Sequence, residues 1–334
     1  MIAASIAAAA AAAPHHTTLT YSASEFVSLG FAKPTETVSF SAALPWSNVP
    51  VLEARLAAAS DPASPTYAAW MTGAEVNALT APPAAARASA AALLAAAGAA
   101  CEHLPHSLKC TAPVAAVEAL FSTRVSAYAH AARGGARVLR VAPETPYAFP
   151  DAARGAVSFF TNLVDFPTTA RKLGRIAAAG GALRGAAPAG DLSIMPEALD
   201  ALYGSAVGSA KASQAPAEFQ RDDGFHPTEV TTFATAAGRA PWKVVKNVGP
   251  HNASQPADFE ASLDEQYMGA VGTGNANWYW TEADWQYEFV EAVAAASDAD
   301  VSQVYSISWG WSEADQCTTR APRRARPLRP QLRP

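Results

Sequence analysis

The sequence predicts an α/β protein built in two parts. Three observations predict it. Strand-like and helix-like stretches alternate between residues 36 and 141. They alternate again between residues 196 and 308. Between the two runs lies a segment, about 168–190, that opens Thr168-Thr169-Ala170-Arg171-Lys172-Leu173-Gly174 and continues rich in Ala and Gly. That composition reads as an exposed linker. At 334 residues the chain is long enough for two domains. The organisation expected is a leader over 1–20, a first domain over 21–167, a linker over 168–190, a second domain over 191–317 and a tail over 318–334.

In the first part, Glu36 to Ala43 alternates apolar and polar residues with a period of two, the mark of a half-buried strand. Val49 to Ala59 follows as a helix, with Val51, Leu52 and Leu56 sharing one face. Val114 to Leu120 is a second helical stretch and Arg137 to Val141 a short strand. In the second part, Pro196 to Leu202 starts with proline, which suits an early helical position. Thr228 to Ala237 reads as a helix opened by a Thr228 cap. Trp242 to Val248 is a strand, Phe259 to Met268 a helix, Asn277 to Trp280 a strand, Asp284 to Ala296 a helix and Val301 to Ser308 a strand. Such alternation in the second part predicts a parallel sheet with helices on its faces.

Half of the residues are hydrophobic, but many are alanine. Alanine buries little area, so the cores must come from the sparser Leu, Val, Phe and Trp. No stretch carries the large apolar side chains of a membrane span. The net charge of −5 conceals an asymmetry: the last fifteen residues hold Arg320, Arg323, Arg324, Arg326, Arg329 and Arg333. Without them, 18 basic residues face 29 acidic ones, a balance of −11. So acidic a body argues against a nucleic-acid partner and suits an acidic compartment. The run Met1 to Ala13 resembles the apolar region of a secretory signal without its basic start, or else is a disordered Ala-rich leader. Of three cysteines, Cys101 and Cys110 are near enough to bridge a short loop, and Cys317 is left over.

Several segments carry a resemblance when taken in order. Ser60-Asp61-Pro62-Ala63-Ser64-Pro65-Thr66-Tyr67, then Trp70-Met71-Thr72 and Glu75, has a helix end, two proline turns and a capped helix start. Pro146-Tyr147 to Phe149-Pro150 and Phe166-Pro167 follow. Met195 to Leu199, Leu202-Tyr203, Ala212 to Ala215, Ala217-Glu218-Phe219, Thr228-Glu229-Val230 and Phe233 come next. Glu260-Ala261-Ser262-Leu263-Asp264-Glu265-Gln266-Tyr267 and Val304 to Gly310 complete the set. This ordered set, spanning about residues 36–316, resembles the sedolisin family of serine-carboxyl peptidases in its tripeptidyl-peptidase-like precursor form. The resemblance implies a pro-kumamolisin-type α/β activation domain with a small antiparallel sheet. The N-terminal part of a subtilisin-like parallel-sheet catalytic domain would follow it.

Glu260 and Asp264 stand four apart, on one face of a helix with Cβ atoms about 5–6 Å apart. Two carboxylates so close repel, and one holds its proton more tightly, which yields a usable base in acid. Alone, the pattern is that of any solvated helix; the apolar and small neighbours Phe259, Ala261 and Leu263, with Tyr267, favour a half-buried one. The resemblance implies that Glu260 is the base to the catalytic serine, that Asp264 orients it, and that Ser308-Trp309-Gly310 forms a substrate-edge strand. It further implies peptide hydrolysis in acid, with tripeptides taken from free N-termini, and a partner in the activation domain itself, which blocks the cleft until the 168–190 linker is cut. The compartment implied is secreted, lysosomal or vacuolar. A Cys101–Cys110 disulfide is implied too, because some relatives have one there. A zinc site at Cys101-x-His103-x-x-His106-x-x-x-Cys110 is disfavoured by its tight spacing and by Pro105 inside it.

The family's oxyanion Asp, in a Ser-Gly-Asp turn, and its serine, in a Gly-Thr-Ser motif, find no match here. Gly272-Thr273-Gly274 has glycine where serine is needed, and Gly204-Ser205 falls in the wrong region. The family's calcium site also lies further on, so no cofactor is expected in this chain. After Cys317 the resemblance stops, and Thr318 to Pro334 is too rich in Arg and Pro to build a core. The expectation is a chain cut short and without peptidase activity of its own, with a naturally short protein as the rival reading. An alternative role is that of an activation-domain inhibitor of a full-length relative. Trp278, Trp280 and Trp285 are expected in the core, His226 on the surface, and Asn252-Ala253-Ser254 is a glycosylation acceptor.

Overall fold

The computed structural model describes residues 26–130, 137–141, 147–164, 194–204, 212–219, 224–251, 257–282 and 286–310. The leader, the linker, the Arg/Pro tail, Ser205, Trp285, Cys317 and the Asn252 acceptor lie outside the described residues. The chain divides into two compact units, the first holding the described residues up to 164 and the second those from 194 to 310.

In the first unit every strand pairing is antiparallel. Strands β1 (Phe26–Phe31) and β2 (Thr37–Ala43) are followed by helices α1 (Val49–Ser60), α2 (Gly73–Thr80) and α3 (Ala84–Ala96). Then come the hairpin strands β3 (Ala100–His103) and β4 (Ser107–Pro113), helix α4 (Val114–Phe121) and strands β5 (Val125–His130), β6 (Val138–Val141) and β7 (Phe159–Thr161). They form not one small sheet but two, in the orders β1-β5-β6 and β3-β4-β2-β7. The core condenses on Phe121 at the end of α4. It meets Phe160 at 4.8 Å, Tyr147 at 5.8 Å and Phe40 at 5.9 Å between ring centroids, all edge-on, the geometry aromatic quadrupoles prefer.

Local sequence signals explain most of these boundaries. The Thr72 hydroxyl accepts the Glu75 amide while the Glu75 carboxylate accepts the Thr72 amide, so α2 opens with a complete capping box. Before it, the Asp61 carboxylate accepts the Ala63 amide at 2.9 Å and ends α1 in a turn. One expectation fails: the face carrying Val51, Leu52 and Leu56 is not packed away. Val51 is 45% and Leu56 44% exposed, Leu52 is half-buried, and Ala59 alone in α1 is buried. Periodicity locates an apolar stripe but not a neighbour to cover it.

The second unit contains α5 (Pro196–Tyr203), β8 (Ser213–Phe219), α6 (Pro227–Ala236), β9 (Val244–Val248), α7 (Phe259–Val271), β10 (Ala276–Glu282), α8 (Gln286–Ala295) and β11 (Val304–Ser306). Its sheet runs in the order β11-β8-β10-β9, and each pairing is parallel. Helix α6 begins one residue earlier than expected. Pro227 takes the first helical position and His226, not Thr228, the cap, with no side-chain cap bond, because proline loses nothing where an amide would be unsatisfied anyway. Gln214 locks α7 to the sheet by donating to the Met268 carbonyl at 2.8 Å and to Asn277 Oδ1 at 2.6 Å. Of the three tryptophans, Trp280 is core, against Phe289 and Tyr305. Trp278 is half-buried beneath the Lys246 ammonium, 4.2 Å from its centroid.

Cys101 and Cys110 face each other directly across β3 and β4 and are joined by a disulfide, which takes both thiols from any zinc site. Replacing both by alanine should cost about 2–3 kcal/mol, the loop-closure value for so short a ring. Urea unfolding of the double variant against the oxidised protein checks this; equal midpoints would refute it.

Candidate functional site

Several buried acidic side chains of the second unit lie near the C-terminal ends of its parallel strands, where open α/β sheets place their sites. Helix α7 starts there. Asp258 caps it, its carboxylate accepting the Glu260 amide at 2.9 Å. The helix then turns an unusual face inward. Glu260, Asp264 and Glu265 are buried with Ala261, Gly269 and Ala270, whereas Phe259 is 69% exposed. Phe259 and Leu263 therefore do not bury this helix as expected; the acids and the small residues do.

Asp264 is held from two residues past β11: the Ser308 hydroxyl donates to Asp264 Oδ2 at 2.7 Å. One residue on, the buried Trp309 indole N–H donates to Glu218 Oε2 at 2.6 Å. Glu218 sits at the end of β8, fully buried and opposite Thr281 of β10. Trp309 is braced in turn by Gln286, whose amide donates to its carbonyl at 2.8 Å. Thus Ser308 and Trp309 each clamp a carboxylate, one on α7 and one on β8. Gly310, the third residue of the expected substrate edge, is half-buried beside them. Among the described residues no group of three or more His, Cys, Asp or Glu side chains is arranged to hold a metal.

Glu218 was not singled out for chemistry from the sequence. Its signal was there, an acid between the apolar Ala217 and Phe219 of a strand, but its partner lies 91 residues away. Glu265 is a second such residue. The Trp242 indole reaches its Oε1 at 3.3 Å and lies where any Gly269 side chain would stand, 2.1 Å from an added Cβ. Burial pushes the Glu265 carboxyl up to about 8, with the indole bond a smaller opposing influence. A carboxyl raised in the folded state contributes stability that is full below its unfolded value near 4.5. That contribution fades as pH climbs through about 8. Glu265→Gln should therefore flatten the loss of stability between these limits, by up to about 1.4 kcal/mol per pH unit. Denaturant unfolding at pH 4.5, 6 and 8 checks it, and parallel profiles for the two proteins would refute it.

Comparison with known proteins gives the chain relatives. Residues 24–166 match the family model of the pro-kumamolisin activation domain. The chain is 30% identical to physarolisin of Physarum polycephalum over 298 residues, covering 88% of this chain and 49% of that protein. It is 28% identical to tripeptidyl-peptidase 1 of Homo sapiens over 304 residues, covering 86% of this chain and 52% of that one. The rat protein of the same name is 27% identical over 305 residues. The chain spans about half the length of the curated relatives it matches. It carries a pro-kumamolisin activation domain and is homologous to sedolisin-family peptidases over most of its length.

Proposed function

We propose that this homologue of the sedolisin peptidases is the activation domain and the base-bearing part of the catalytic domain of an acid-acting serine peptidase precursor. The observation that carries the reading is the buried pair on α7 with the Ser308 hydroxyl on Asp264. A buried acid pair is costly unless something uses or compensates it. Glu260 takes the proton from a serine hydroxyl as that oxygen attacks a peptide carbonyl, and returns it to the departing amine. Asp264, fixed from Ser308, keeps the Glu260 side chain in position. Glu218, held by Trp309, fixes the 308–310 segment along which a peptide substrate would lie as an added strand. Tripeptide release from free N-termini and an acidic, secreted or lysosomal setting belong to the same reading; the raised Glu265 carboxyl favours a unit most stable in acid.

The oxyanion Asp and the serine have no counterpart motif in this sequence. Purified chain is therefore expected to release nothing from fluorogenic tripeptidyl substrates between pH 3 and 6. Hydrolysis that is present and is lost in Glu260→Ala would overturn this inactivity while supporting the role of Glu260. Hydrolysis indifferent to Glu260→Ala would sink the assignment of the base. A transcript that continues, in frame or out of it, into Ser-Gly-Asp and Gly-Thr-Ser motifs would supply the missing groups.

A second reading has its own support: the first unit has a closed core of its own, centred on Phe121, and matches the activation-domain family. Such a unit could serve as an inhibitor of a full-length relative. Dose-dependent inhibition of a purified tripeptidyl peptidase by this chain would support the role, and its absence at micromolar concentration would remove it.

A further inference from the structure

His106 lies in the β3–β4 turn of the first unit and is 1% exposed. Three segments converge on it. The Thr80 hydroxyl at the end of α2 is 2.8 Å from its Nε2. The Trp46 indole lies 4.4 Å away, ring to ring. The Leu44 amide donates to the His106 carbonyl at 2.8 Å, and the Ser47 amide to the Thr80 carbonyl at 3.1 Å. From α3, the Arg87 guanidinium donates to the Leu104 carbonyl at 2.9 Å and to the Pro105 carbonyl. The loop after β2, the end of α2 and the hairpin turn are thus tied together around one imidazole.

The hydrogen bonds fix where its proton sits. Thr80 has one hydroxyl proton, and it points to the Val76 carbonyl at 2.7 Å. The Thr80 oxygen must therefore accept, and His106 donates from Nε2. The second nitrogen, Nδ1, is buried with no hydrogen-bond partner among the described residues. A second proton would have to land there, beside the Arg87 cation and without an acceptor.

We propose that His106 is an acid-operated release in the activation domain: neutral, it fastens the 44–48 loop, α2 and the 104–107 turn together, and a proton on Nδ1 unfastens them. The inference rests on the precursor reading for its biological purpose, and names a regulatory group that reading does not contain. Burial, with the Arg87 charge adding to it, lowers the His106 imidazole to about 4. The other titratable groups of the surrounding elements are elsewhere. Glu102, His103 and Lys109 are exposed on the hairpin, and Glu75 is engaged at the Thr72 cap. The 44–48 loop has none. A histidine lowered in the folded state contributes stability that is full above its unfolded value near 6.5. It is lost progressively as pH falls to about 4. Over that window each pH unit lowers the folded-to-open ratio of the junction by up to about tenfold.

The test uses the whole chain with 15N-labelled histidine. His106 should titrate near pH 4, with Nε2 carrying the proton above it. The Leu44 amide should lose exchange protection between pH 6.5 and 4, after correction for intrinsic rates. In His106→Gln that loss should flatten. In Arg87→Gln, which removes the facing charge and two carbonyl contacts, the His106 titration should move to higher pH and the loss of protection should end sooner and be smaller. A His106 titration at or above 6.5, or the same acid loss of protection in both variants as in the parent chain, would overturn the proposal. If His106→Gln fails to fold, the titration of the parent chain and the Arg87→Gln shift decide alone. None of these readouts involves peptide hydrolysis. Failure here leaves the peptidase reading intact, and failure of that reading leaves an acid-sensitive junction without an enzyme to release.

Discussion

An ionised carboxylate taken out of water loses solvation worth several kcal/mol, and the second unit buries the side chains of Glu218, Glu260, Asp264, Glu265 and Glu291. That cost constrains nearly everything around them. It requires donors, which explains why Ser308, Trp309 and Trp242 turn hydroxyl and indole groups inward rather than toward solvent. It requires close approach of α7 to the sheet, which small residues permit: Ala261 and Ala270 are fully buried, and Gly269 yields its Cβ space to Trp242. It also explains why Phe259 faces outward. On a helix whose inner face is committed to acids, a large apolar side chain at the first position has no inner place to occupy.

The two units handle ionisable groups in opposite senses. In the first, a buried imidazole is held neutral by desolvation and by a neighbouring cation, so acid works against its burial. In the second, a buried carboxyl is held protonated by desolvation, so acid works in favour of its burial. One solvent variable therefore loosens part of one unit and tightens part of the other.

How much of this was legible in the sequence depends on the distance over which each signal acts. The capping box at Thr72 and Glu75 spans three residues and was readable as a helix start. The disulfide spans nine and followed from a family likeness that the activation-domain match now supports. The parallel sheet was readable from alternation, since each strand and helix carries its own periodicity. The Thr228 cap was misplaced because two local preferences compete within two residues, and the proline won. The apolar face of α1 was readable, but its lack of cover was not, because burial is a property of neighbours. Glu218 is the clearest case. An acid in a strand shows its chemistry only when Trp309, far along the chain, supplies the indole.

The strand order has a consequence for synthesis. β9 pairs with β10 and not with β8, although β8 and β9 are successive in the chain. When β9 leaves the ribosome, the strand that will sit between it and β8 has not been made, and it is complete only at Glu282. At ordinary elongation rates of about 5–20 residues per second, that interval lasts on the order of a few seconds. Throughout it, a nascent Val244–Val248 segment offers both of its backbone edges to any other strand nearby. Lys243 and Lys246, one before and one within it, are charges of the kind that keep such an edge from pairing with a copy of itself.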